Sequence, residues 1–158
     1  MDFRSFGALA GNLDGVRRRL AGATSAELEA QGAAIEATAK SKFGTYQAGW
    51  SPLADSTKAD RSQQGFTPND PLFRSGGLRD AVHHRVEGDS VFVGIEPGQT
   101  LYGPDGKGVD AALVMAVQEY GDSQGRVPPR PVFGTVVIED FDRHVEAFVL
   151  GVLTRSEL

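Results

Sequence analysis

Apolar side chains recur at steps of three and four from the beginning of the chain. Phe3, Phe6, Leu9, Leu13, Val16 and Leu20 fall on one face of a helix expected to end near Gly22. Thr24 with Glu27 three positions on has the form of a capping box, after which Leu28, Gln31, Ile35 and Ala39 carry the stripe on towards Phe43. The pattern fits one bent helix or two consecutive ones, and either way residues of about 2–43 form an N-terminal helical region. Gly44–Leu53 has turn composition around Tyr46 and Trp50 and predicts a structured loop. A short helix is expected over Ser56–Arg61, then an exposed, mobile stretch over Ser62–Asp70.

Pro71-Leu72-Phe73 returns the chain to the core, and Ser75 is placed to cap a short helix over Leu78–Val82. The period then changes. His84 and Val86, then Val91, Val93 and Ile95, flank Glu87-Gly88-Asp89 as two strand-like runs about a tight turn, which predicts a hairpin. Gln99–Val109, rich in glycine and carrying Pro104 and Asp105, reads as a further turn or hairpin tip. Asp110–Tyr120 is the best central helix, with Asp110 as its cap and Gly121 suited to end it. Val137, Ile138, Phe141, Val145, Phe148, Val149 and Val152 repeat at helical steps and predict an amphipathic C-terminal helix over about 135–155, although the β-branched start Thr135–Ile138 also suits a strand. The expected fold class is α+β: N-terminal helices and a C-terminal helix packed on a small antiparallel β-sheet, with a central helix after the hairpin. One domain over 1–158 is expected, divided into the helical region, a sheet and central-helix region over about 44–125, a proline-rich arm over 126–134 and the final helix.

Composition narrows the function. With 158 residues, 40% of them hydrophobic and 23% charged, the chain is large enough and apolar enough to bury a core. The absence of cysteine removes disulfides, thiolate nucleophiles and cysteine-rich metal sites. A formal charge of −5 argues against a broad face that grips nucleic acid, because neutralising phosphates needs clustered Lys and Arg. The start MDFRSFGALAG lacks the apolar stretch of a signal peptide, and no run is long and apolar enough to span a bilayer.

Candidate chemistry is sparse. Gly121-Asp122-Ser123-Gln124-Gly125 matches the G-x-S-x-G of a nucleophile elbow, with Asp140, Asp142 and His144 downstream, which raises a small serine hydrolase using Ser123. The motif follows a helix instead of a strand, so a chance match in a glycine-rich turn is favoured. His83 and His84 are neighbours that a strand would turn to opposite faces, unsuited to share a metal. Gly103–Gly108 has the glycines and lysine of a phosphate loop without its Gly-Lys-Ser/Thr ending, and Glu96, Asp105 and Asp110 do not fit a calcium loop. No catalytic residue, metal or cofactor is assigned.

The landmarks gain meaning in order. Phe43, then Gly49-Trp50-Ser51-Pro52-Leu53, Thr57-Lys58 and Pro71-Leu72-Phe73-Arg74-Ser75-Gly76-Gly77-Leu78 precede Val91-Phe92-Val93-Gly94, Met115–Gly121 and Val127-Pro128-Pro129-Arg130-Pro131-Val132-Phe133-Gly134. This series resembles the virion-morphogenesis and head–tail connector (neck, tail-completion) family of tailed bacteriophages, over roughly Phe43 to Gly134. Gln118 stands where many members have histidine, and Val132-Phe133 replaces the usual Phe-Leu. The resemblance implies a non-enzymatic virion protein of the neck, assembled in the host cytoplasm. It would form a homo-oligomeric ring of 6 or 12 subunits that meets portal or adaptor proteins on one side and tail terminator or tail tube proteins on the other. DNA would pass through the channel without specific binding. A tail terminator at the top of the tail tube is the alternative with the same architecture.

The proline run has three readings: a subunit or partner interface, a connector packed on its own subunit, or a polyproline ligand. Its position between two predicted helices disfavours the last. As an interface, Arg126, Pro128, Pro129, Arg130, Pro131 and Phe133 would form a stiff arm, since proline fixes φ and lowers the entropy lost on docking. Arg126 or Arg130 would then grip a neighbour's carboxylate. Trp50, Pro52 and Leu53 are expected to anchor the preceding loop.

Overall fold

In a computed structural model, which describes residues 6–103 and 106–157, a single helix α1 runs from Phe6 to Ser41. The glycine at position 22 does not break it, and the capping box does not form. Thr24 lies inside the hydrogen-bonded helix, where there is no orphan N–H to cap, and Glu27 pairs with Arg155 instead (3.1 Å). Phe3, part of the expected stripe, lies outside the described residues. At 36 residues α1 is about 54 Å long.

The elements that follow keep close to expectation: α2 (Asp55–Gln63), α3 (Gly77–Asp80), β1 (His83–Glu87), β2 (Ser90–Gly94), β3 (Thr100–Tyr102), β4 (Gly108–Asp110), α4 (Ala111–Tyr120) and α5 (Phe133–Ser156). The class is α+β, with the strands in two separate antiparallel pairs, β1 with β2 and β3 with β4. Glu87 opposite Ser90 leaves the two-residue turn Gly88-Asp89, with Gly88 at φ +62°. Pro104 and Asp105, within the expected turn, lie outside the described residues. Asp110 caps α4 as expected, accepting from the N–H groups of Ala112 (2.8 Å) and Leu113 (3.1 Å).

Three local expectations are corrected. Ser75 does not cap α3, because Gly76 at φ +91° turns the chain directly into the helix. Residues 62–69 are largely exposed, yet the segment is tied at its end by Arg61, which donates to the carbonyls of Asp70 (2.5 Å) and Phe73 (3.1 Å). The C-terminal helix begins at Phe133, inside the expected arm, and Thr135–Ile138 is helical, not strand.

The core joins Ala39, Phe43, Trp50, Leu72, Val82, Ile95, Met115, Val132 and Val136. The C-terminal half of α1 and α5 lie antiparallel, as Lys42 pairs with Glu139 (3.0 Å) while Glu27 pairs with Arg155. The hairpin β1–β2 crosses α1 at Gly32, where an added Cβ would lie 2.7 Å from His84 and 2.8 Å from Val91. Glu36 latches this crossing: its carboxylate accepts from the backbone N–H of His84 (2.9 Å), meets the ring Nδ1 (2.5 Å) and pairs with Lys40 (2.5 Å).

The packing of α5 departs from the predicted stripe. Val132 and Val136 are buried, and the helix meets the body through the i, i+4 ridge that continues with Asp140, His144, Phe148 and Val152 to buried Ser156. Val137, Phe141, Val145, Val149 and Leu153, on the adjoining ridge, stay exposed.

Candidate functional site: grooves flanking the proline run

The proline run starts from a turn built by Asp122. Its carboxylate accepts from the Val127 N–H (2.8 Å) and from Arg126 Nε (3.0 Å), while its own N–H donates to the Val127 carbonyl (3.1 Å). The Val127 N–H, and after it Arg126, hold the Asp122 carboxyl below its ordinary range. Gly121 (φ +78°) and Gly125 (φ +68°) supply the left-handed positions, and a Cβ on Gly121 would come within 3.0 Å of the Val127 carbonyl. The G-x-S-x-G sequence is therefore a glycine turn, with Ser123 exposed in it. His144 lies against α1, with Nδ1 2.7 Å from the Gln31 side-chain oxygen, and Asp140 pairs with Arg143 (3.0 Å). Among the described residues no hydrogen bond joins Ser123 to a histidine.

The end of the run is held by α4. The Arg130 N–H donates to the Gln118 carbonyl (2.5 Å). Glu119 accepts from the backbone N–H groups of Val132 (2.7 Å), Phe133 (3.2 Å) and Gly134 (2.8 Å). One carboxylate thus satisfies three orphan donors at the start of α5, where the helix dipole also favours negative charge. Gly134 leaves room for it, since a Cβ there would lie 3.2 Å from the Glu119 oxygen. Sequence reasoning did not find Glu119. Its spacing from the run was visible inside the motif Gln118-Glu119-Tyr120-Gly121, but no local rule assigns a cap to another helix.

The predicted site residues divide by exposure. Arg130 is buried at 5% exposure and donates to the carbonyl of Ser51 (3.1 Å), so it joins the run to the Trp50 loop of its own chain and is not held out towards a neighbour. Its Nε finds no hydrogen-bond partner among the described residues, and burial lowers its pKa. Arg126 is exposed beside Asp122. Pro128 and Pro131 are half-buried, Pro129 exposed, and Phe133 half-buried against the core. Trp50 and Leu53 are buried, whereas Pro52 is exposed. Tyr46 fastens their loop, donating to Asn69 (2.8 Å) and accepting from the Leu53 N–H (3.0 Å).

Two grooves result. The first, about 690 Å³, has an apolar floor that includes Leu53, Leu72, Leu101 and Val114, and its described lining holds Arg61, Arg74, Arg126 and Arg130 with no carboxylate. All four guanidinium groups are engaged: Arg61 and Arg130 with carbonyls, Arg74 with Asp60 (3.4 Å), Arg126 with Asp122. The second, about 570 Å³, is lined by apolar side chains including Phe92, Met115, Tyr120, Phe133 and Ile138. Neither sets a nucleophile beside a base. His83 and His84 diverge as expected, His83 towards Glu96 (3.7 Å) and His84 towards Glu36 and Glu29. Among the described residues no group of three His, Asp or Glu is placed to hold a metal, and no helix is long and apolar enough to cross a membrane. Compared with family models, with curated proteins and with solved structures, the chain finds no match.

Proposed function

We propose that this protein is a structural subunit of the neck of a tailed bacteriophage, acting without catalysis, that assembles with copies of itself into a ring between the portal or adaptor and the tail and leaves a channel for DNA. The observation that carries the reading is the apolar surface left uncovered on a single chain. Seven large apolar residues of α5 are exposed: Val137, Ile138, Phe141, Val145, Val149, Leu150 and Leu153. On α1, Phe6 is 92% and Leu13 60% exposed. Contiguous apolar patches of this kind mark association surfaces. A ring needs two different adhesive surfaces on each subunit, because its contacts run head to tail.

The family-like blocks support the same reading through what they do in this fold. Phe43, Trp50 and Leu72 form the core, Val91–Gly94 is β2, and the Gln118–Gly121 and Val127–Gly134 blocks are bonded to one another. A chain of net charge −5 presents little attraction to DNA phosphates, which suits a channel through which DNA slides. Sedimentation of the purified protein, together with negative-stain microscopy, tests the proposal. Closed rings of like subunits are expected, and a chain that remains monomeric at every concentration reached overturns it.

A further inference from the structure

The first half of α1 is largely exposed, with Leu9, Val16 and Leu20 half-buried. From Ala23 onward the helix lies against α5, but α5 ends at Ser156 beside Arg155, which pairs with Glu27, so residues 6–20 extend past the body. Along this overhang Phe6, Leu9, Leu13, Val16 and Leu20 follow steps of 3, 4, 3 and 4, the spacing of a coiled-coil seam. Arg17 and Arg19 fall at the positions that flank such a seam, where charges choose the partner. On α5 the exposed ridge Val137, Phe141, Val145, Val149 and Leu153 runs at steps of 4, and the next ridge interleaves Ile138 and Leu150 with Asp142 and Glu146. Each stripe is about 20 Å long.

We infer that the α1 overhang of one copy docks along the exposed ridge of α5 in a second copy, head to tail. The inference rests on, and deepens, the proposed self-assembly by naming its two mating surfaces. Charge decides between the pairings that apolar matching alone would allow. Two overhangs would oppose Arg17, Arg18 and Arg19 with the same three residues when parallel and with uncharged Gly7, Ala8 and Leu9 when antiparallel; two parallel α5 ridges would oppose Asp142 and Glu146 with themselves. Overhang on ridge, run antiparallel with Leu13 at Val145, sets Arg17, Arg18 and Arg19 level with Phe141, Asp140 and Glu139, within a turn of Asp142. Arg18, Arg19, Asp142 and Glu146 have no ion-pair partner among the described residues, so the contact would join charges that a single chain leaves unpaired. Because the surfaces differ, a docked pair still offers one free surface of each kind, so the contact propagates head to tail and gives a ring where its rotation closes.

The absence of cysteine makes the contact directly testable. Leu13 and Val145 are the midpoints of the two stripes, so they meet in the antiparallel pairing. The Leu13→Cys/Val145→Cys chain, mildly oxidised and run on a non-reducing gel, is expected to give a ladder of covalent multimers, while either single variant stays uncross-linked. Leu13→Asp, at an exposed position that leaves the fold intact, is expected to raise the dissociation constant tenfold or more (~1.4 kcal/mol). Arg19→Glu is expected to weaken association and Asp142→Lys to restore it in the double variant. Covalent dimers from either single variant, or a faster-migrating intrachain disulfide, overturn the inference. A protein that sediments as a multimer without the ladder also overturns this contact while leaving self-assembly standing. A protein that stays monomeric and uncross-linked takes down both.

Discussion

Because the Glu119 carboxylate accepts from three successive N–H groups at the start of α5, its removal leaves three donors poorly satisfied next to the positive end of the helix dipole. Glu119→Ala is expected to cost about 2 kcal/mol and Glu119→Gln about half as much, since the amide keeps an acceptor but loses the charge. Urea unfolding should show a lower midpoint with an unchanged slope. Arg130 is the second case. Reversing it to glutamate would set a buried carboxylate against the Ser51 carbonyl, at a cost of about 3 kcal/mol or more, whereas Arg126→Glu at an exposed position should cost under about 1 kcal/mol. The unfolding midpoints of the two variants check this, and the contrast means that Arg130 cannot serve as a clean probe of assembly. Leu72 shows the same priority of packing over local preference, being buried at φ +59° where a non-glycine residue is uncommon. Side-chain type was readable at each of these positions. Their partners were not, because each is reached only after the chain has turned back on itself.

The latch between α1 and β1 sets a pH dependence at the scale of elements. Lys40, and after it His84, hold the Glu36 carboxyl down to about 2 from its ordinary 4.5. Glu36 in turn raises His84 above its ordinary 6.5, with Glu29 adding to the effect. A depressed acid contributes stability that is present above 4.5 and lost as pH falls towards 2; a raised histidine contributes stability that is present below 6.5 and lost as pH rises through its folded value. The latch is therefore whole between about pH 4.5 and 6.5. The stability difference between the native chain and His84→Gln, taken from unfolding midpoints across pH, is expected to be about 1–2 kcal/mol in that window and to shrink above it. Among the elements, the hairpin was legible from Glu87-Gly88-Asp89, and α4 from Asp110 and Gly121, since turns and caps act within a few residues. The continuity of α1 through Gly22 was not, because glycine permits a break without requiring one.

For the whole molecule, the exposed apolar surface predicts that stability depends on association. If copies cover the α5 ridge, the melting temperature should rise with protein concentration, by mass action on the folded state, and lose that dependence in the Leu13→Asp chain. A melting temperature independent of concentration would contradict it. Amphipathic periodicity showed that α5 has an apolar face, and the steps of three and four showed one on α1. Those features follow from side-chain order alone, as do the α+β class, the hairpin and the capping of α4, because each depends on neighbours a few residues apart. Which face of α5 turns inward was decided only in the tertiary structure. Gln31 on α1 and Lys42 just past its end offer polar partners to His144 and Glu139, and the ridge from Val132 to Ser156 takes the inner side, leaving Phe141 and Val145 outside. The same holds for Glu119 and Arg130, whose roles depend on contacts 13 to 79 residues away that no local pattern encodes.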